Sequence, residues 1–138
     1  MIVRFTEEQI RFLVEETRRE DPFEACGFLF GDTRQEAAFV RKIVASDNSL
    51  RSSTRFQIDS EEFLRALSKA EKENLEHIGF FHSHPAPPEP SVTDAKYMKL
   101  WPGSIWLILS SIDHEMATYH AVNGSFRRIA LEVNGRKR

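Results

Sequence analysis

Apolar residues return at helical spacing in two stretches of the chain and elsewhere gather in short runs bounded by turn residues. Ile10, Leu13, Val14 and Thr17 form one stripe, opened by Thr6 and Gln9 as a capping box, and predict a helix to about Arg19. Asp21-Pro22 ends it. Gly27–Gly31 reads as a buried strand and Glu36–Ala45 as another. Residues 47–49 and 51–54 read as loop, followed by a short strand at Arg55–Ile58. Asp59 or Ser60 caps a second helix with Phe63, Leu64, Leu67 and Ala70 facing inward. His77–Phe81 is an apolar strand run leading into His82 and His84, and Val92–Leu100 is a short helix ended by the turn Trp101-Pro102-Gly103. Ser104–Ser110, Met116–Val122 and Phe126–Val133 read as three further strands, with turns at residues 112–114 and at Asn123-Gly124. The pattern predicts an α+β protein, α/β in the broad sense, with a mostly antiparallel curved sheet flanked by two longer helices and one short helix. No repeat, low-complexity tract or linker divides it, so residues 1–138 are expected to form one domain.

Composition narrows the functional classes. The chain is 41% hydrophobic and 29% charged, as in ordinary globular proteins, and 138 residues can bury a sizeable core. A net charge of −2 provides no global attraction to nucleic acid, and the basic end (Arg127-Arg128, Arg136, Arg138) reads as a solvated edge and tail. No apolar run is long enough to span a membrane, and residues 1–8 do not resemble a signal segment. The single cysteine, Cys26, excludes an intrachain disulfide, suits a reducing cytoplasm and reads as a small core residue. Amidohydrolases that begin with His-x-His need barrels of roughly 250 residues, more than this chain has.

The densest chemistry lies in His82-Ser-His84-Pro85-Ala-Pro-Pro-Glu-Pro90-Ser91-Val-Thr-Asp94. Two residues apart on a strand, His82 and His84 share one face. Ser91-x-x-Asp94 has the form of a helix start, which the stiff proline-rich loop can fold back towards the strand end. Two imidazoles and a carboxylate, with a fourth position open, describe a catalytic zinc site. His120 reads as structural or solvated and is the one residue able to compete with Asp94 as the third ligand. His77 and His114 read as structural or solvated, as does Glu24, in the turn after Asp21-Pro22. Ser83 faces the other side of the strand and receives no role. Trp101 and Trp106 read as core residues, with a channel lining as the alternative.

At His82-x-His84-Pro85 and Ser91-x-x-Asp94 the chain resembles the JAMM (MPN+) metalloprotease family, and Glu24-Ala-Cys-Gly27 resembles the family's upstream Glu-x-x-Gly strand. The likeness extends over most of the chain in the order of its elements. It departs from the family in one place: six residues separate His84 from Ser91, where family members commonly have seven. The resemblance implies the MPN fold and one zinc per chain on His82, His84 and Asp94, setting His120 aside. It implies Glu24 as general base and then as acid for the leaving amine, and Ser91 as hydrogen-bond donor to the oxyanion.

The activity so implied is a zinc isopeptidase or peptidase cleaving after the C-terminal glycine of a ubiquitin-like modifier. The alternative, using the same site, is removal of an amino acid from a sulfur-carrier protein. Either partner would end in a Gly-Gly tail, and neither nucleic acid nor membrane is expected as a partner. A non-enzymatic MPN scaffold is the remaining reading. Scaffold members lose ligands, whereas this chain keeps all five residues.

Overall fold

The computed structural model describes residues 1–47, 50, 57–134, 136 and 137. In chain order its elements are β1 (Ile2–Phe5), α1 (Glu7–Glu20), β2 (Cys26–Arg34), β3 (Ala37–Ser46), α2 (Ser60–Lys72), β4 (Glu76–His84), α3 (Val92–Leu100), β5 (Ile105–Ser110), β6 (Met116–Val122), β7 (Ser125–Val133) and β8 (Arg136–Lys137). The expected strand at Arg55–Ile58 and the loops at residues 47–49 and 51–54 fall largely outside the described residues; Ile58 makes an isolated bridge.

Local chemistry accounts for the helix starts. Thr6 accepts the Gln9 amide N–H while the Gln9 side chain accepts the Thr6 N–H, a reciprocal cap of the kind worth about 1 kcal/mol. Asp59, the cap of α2, accepts from the amides of Glu61 and Glu62. The Asn123-Gly124 turn takes positive φ at both residues (46° and 76°), as a two-residue hairpin between β6 and β7 requires.

The strands run in the order β1-β3-β2-β4-β5-β6-β7-β8, and β1 bonds β7 as well as β3, so the sheet curves round and closes on itself. Among the described residues the pairings of β1 with β3, β1 with β7 and β4 with β5 are parallel, and the other five are antiparallel. The sheet is therefore mixed, with an antiparallel majority. Ile2–Phe5 was not expected as a strand. It is four residues long, and Val3 and Phe5 gain their burial only from distant partners.

Alternation along the strands divides the core into two layers. Val3, Leu29, Phe81 and Leu107 face one side, which Ile10 and Leu13 of α1 cover. Phe28, Phe30, Phe80 and Trp106 face the other, packed by Phe63, Leu67 and Ala70 of α2 and Met98 of α3. Burying each such large side chain contributes about 1.5–3 kcal/mol. Leu64 departs from the expected inward set: it is 64% exposed. Gly27 must be glycine for close approach, because a Cβ there would overlap the Val44 carbonyl and the Phe81 ring.

Candidate metal centre

Three strand ends meet at one edge of the sheet. β4 finishes at His84, beside the end of its parallel neighbour β5, with His84 opposite Ser110 and the Ser111 amide bonded to the His84 carbonyl. β2 runs the other way and starts there, with Cys26 opposite His82. Phe80, His82 and His84 alternate onto the face of the second core layer, and the His82 ring lies 6.1 Å from Trp106. Both histidines are buried, with ring centroids 5.7 Å apart.

The loop after His84 returns α3 to this edge. Ser91 caps α3 by accepting the Asp94 amide at 3.0 Å, and the Ser91 amide donates to Asp94 Oδ2 at 2.8 Å. The same Oδ2 stands 3.1 Å from His82 Nε2. Burial raises the Asp94 carboxyl, but the hydrogen bond and charge of His82 together with the Ser91 bonds outweigh it and hold Asp94 below its ordinary value. Ser91 itself is exposed. Its cap uses an oxygen lone pair and leaves the hydroxyl hydrogen available to donate.

Glu24 lies just before β2 and is 3% exposed. A pair of bonds holds this segment against the histidine strand: the Ser83 amide donates to the Ala25 carbonyl and the Ala25 amide to Ser83 Oγ, each at 2.9 Å. Ser83 thus has a role that the strand pattern did not reveal. It points away from the histidines, and its hydroxyl anchors the residue next to Glu24. Burial first, and the Asp94 charge second, push the Glu24 carboxyl up to about 8.

Donor chemistry is consistent with a zinc ion here. Two donors on one tetrahedral zinc, each at about 2.0–2.1 Å, stand about 3.3 Å apart, close to the His82–Asp94 separation. His84 Nε2 is buried with no hydrogen-bond partner among the described residues. Burial, then repulsion from His82, lowers the His84 pKa against the opposing pull of Asp94 and the Pro87 carbonyl, favouring the neutral ring that binds metal. Among the described residues no three ligating side chains are already drawn within metal-binding reach of one another. The structure brings His82 and Asp94 together, and His84 is the member that a metal would have to draw in.

The other candidates fall away on geometry. His120 pairs with Ile105, three residues along β5 from the Ile108 that pairs with His82, and it alternates onto the opposite face. Cys26 is buried, and desolvation with its neighbouring carboxylates pushes its thiol up to about 12, so it remains a protonated core residue. His77 Nε2 lies 2.9 Å from the Gly79 carbonyl, within an aromatic cluster of Phe63, Phe80 and Trp101. Trp106 is buried and Trp101 is 38% exposed; both border a cavity of about 250 Å³ with Phe63, Phe80 and Tyr97.

The fold and this edge define the class, an α+β protein of the JAMM/MPN type. A solved protein of Desulfitobacterium hafniense, DSY2949, superposes with a TM-score of 0.84 over 97% of this chain and 93% of that one, at 26% identity. The model described as prokaryotic homologs of the JAB domain matches residues 6–124, and the chain belongs to that family. A desampylase of Pyrococcus furiosus is 50% identical over 88 residues, which cover 63% of this chain and 59% of the relative. The match therefore spans less than two thirds of that relative's length. A CysO-cysteine peptidase of Mycobacterium bovis is 30% identical over 128 residues, 90% of this chain and 86% of the relative.

Proposed function

We propose that this chain is a zinc-dependent isopeptidase that cleaves after the C-terminal glycine of a ubiquitin-like modifier. His82, His84 and Asp94 are its metal ligands, Glu24 its general base and Ser91 its oxyanion donor. The supporting observation is the shared burial of Glu24, His82, His84 and Asp94 at one sheet edge beside an exposed Ser91. When bound there, zinc would supply a Lewis acid that activates water near neutral pH and a positive charge that favours ionised Glu24.

The chain's own groups carry the proton traffic. The Glu24 carboxylate takes a proton from water as its oxygen adds to the scissile carbonyl carbon. Ser91 Oγ–H donates a hydrogen bond to the oxyanion that forms and keeps its proton. As the C–N bond breaks, Glu24 returns the proton to the leaving lysine nitrogen, ending the cycle as carboxylate. The single-cysteine sequence suits a cytoplasmic setting.

Ser91 has two separable contributions. Ser91→Ala is expected to lower kcat by roughly 10²–10³ with little change in KM. It should also cost about 1 kcal/mol of stability through the lost cap. Steady-state kinetics beside a denaturation curve measure the two effects; a stability change alone would leave Ser91 as a helix cap only.

The desampylase relative supports the modifier reading. The CysO-cysteine peptidase, aligned over more of the chain, favours a second reading in which the same site releases an amino acid from a sulfur-carrier protein. The test is mass spectrometry of the products from two substrates: a lysine conjugate of a modifier ending in Gly-Gly, and the same modifier carrying one C-terminal cysteine. Release of intact modifier from the lysine conjugate is expected. Cleavage of the cysteine adduct alone would establish the second reading, and no cleavage of either would leave a scaffold.

A further inference from the structure

We propose that Ser83 is a positioning residue for Glu24, its hydroxyl setting the direction of that carboxylate across the face that carries the histidines; the inference rests on the base assigned to Glu24 above. Glu24 belongs to neither α1 nor β2, so regular secondary structure does not fix its backbone. The register of β2 against β4 pairs Cys26 with His82, and the bonds between Ala25 and Ser83 carry it one residue further. Counted on once more, it sets Glu24 opposite His84. Directly opposed residues on one face of an antiparallel pair have Cβ atoms about 4.5–5.5 Å apart. The Ser83–Ala25 pair is therefore the last tie between the strands before the proposed base and a proposed ligand.

That tie is irregular. An ordinary hydrogen-bonded antiparallel pair exchanges two backbone bonds. Here the Ser83 amide donates to the Ala25 carbonyl, but the Ala25 amide donates to Ser83 Oγ in place of the Ser83 carbonyl, each at 2.9 Å. The Ala25 N–H lies in the rigid peptide plane that joins Glu24 to Ala25. Holding this one hydrogen therefore constrains the ψ angle of Glu24 and, with it, the direction in which its side chain leaves the backbone. Ala25 and Ser83 are both buried, so without the hydroxyl the peptide must turn to find another acceptor. Alternation explains why residue 83 supplies the bond. With His82 and His84 on one face, the side chain between them points to the other, where Ala25 packs.

Zinc-loaded Ser83→Ala should cleave a lysine conjugate of a modifier ending in Gly-Gly with kcat lowered by roughly 10–100-fold, as when a reacting group is misplaced by about 1 Å. KM and zinc content should stay close to wild-type. In the metal-free chain, the Ala25 amide should lose its protection from hydrogen exchange while Phe28 and Leu29, inside β2, keep theirs. Ser83→Thr and Ser83→Val match in size and differ in the hydroxyl. The Thr variant should retain most activity and the Val variant lose it, a comparison that stands even if Ser83→Ala does not fold. On a Glu24→Gln background, single turnovers should show that Ser83→Ala adds little further loss, because both changes act on one group. Wild-type kcat in Ser83→Ala, unchanged exchange at Ala25, equal activities of the Thr and Val variants, or the same fold-loss on both backgrounds would overturn the inference. A Glu24→Gln chain as active as wild-type would remove the base assignment and this inference together. An inactive Glu24→Gln beside a fully active Ser83→Ala would remove this inference alone.

Discussion

Glu24→Gln is expected to keep the fold and the zinc while losing hydrolysis by roughly 10²–10⁴-fold. The substitution preserves the shape of a side chain that is 3% exposed, and it removes the carboxylate proposed to carry the proton from water to the leaving amine. Zinc content and kcat/KM measured on the same preparation separate the two roles. A variant that loses zinc together with activity would make Glu24 a ligand and overturn its assignment as base. The metal-free protein offers an independent reading of the same carboxyl. Its pKa rises from 4.5 to about 8 on folding, so folding favours the neutral acid. That contribution is complete below the unfolded value and is lost as pH climbs through the folded one. Stability of the chelated wild-type should therefore decline between about pH 5 and pH 8, and Glu24→Gln, neutral throughout, should decline less. Urea denaturation at both pH values checks it; parallel curves for the two proteins would contradict the burial argument.

His84→Ala is expected to abolish stable zinc binding and, with it, activity. Losing a ligand should cost more than the roughly 10–100-fold typical of losing a ligand's outer partner. The metal-free fold, in contrast, should tolerate the change well. His84 Nε2 is a buried polar atom without a partner among the described residues, so its removal relieves a desolvated group. Asp94 differs, because Asp94→Ala would also break the reciprocal cap on α3 and cost about 1 kcal/mol besides the metal. Metal analysis after dialysis and a denaturation curve distinguish the two variants. Retained stoichiometric zinc in His84→Ala would remove His84 from the ligand set.

The parts of this molecule that sequence reading recovered are those whose causes are local. The cap of α1 is made by Thr6 and Gln9 themselves, and the hairpin at Asn123-Gly124 by two residues that tolerate positive φ. The His82–Asp94 motif is legible for the same reason, since a strand, a loop and a helix cap lie within thirteen residues. What depends on remote partners was not legible. β1 is a strand because β3 and β7 lie on either side of it, and the parallel pairing of β4 with β5 is invisible to alternation. Leu64 has the spacing of an inward residue, yet α2 turns it to solvent. Glu24 lacks a local signal because Ser83, its anchor through Ala25, is 58 residues from that contact in sequence, and only the family resemblance drew attention to it. Tyr119 reads as one more strand aromatic until its hydroxyl is seen to reach Pro88.

The proposed function turns on a zinc ion held by two imidazoles and one carboxylate at this sheet edge. X-ray absorption at the zinc edge of the loaded, wild-type chain tests it most directly. Two imidazole nitrogens at about 2.0–2.1 Å and oxygen at about 2.0–2.2 Å are expected around the metal, with no sulfur bound to it. A sulfur at about 2.3 Å would bring Cys26 into the site, and a shell of oxygens without imidazole would place the metal elsewhere; either result would contradict it.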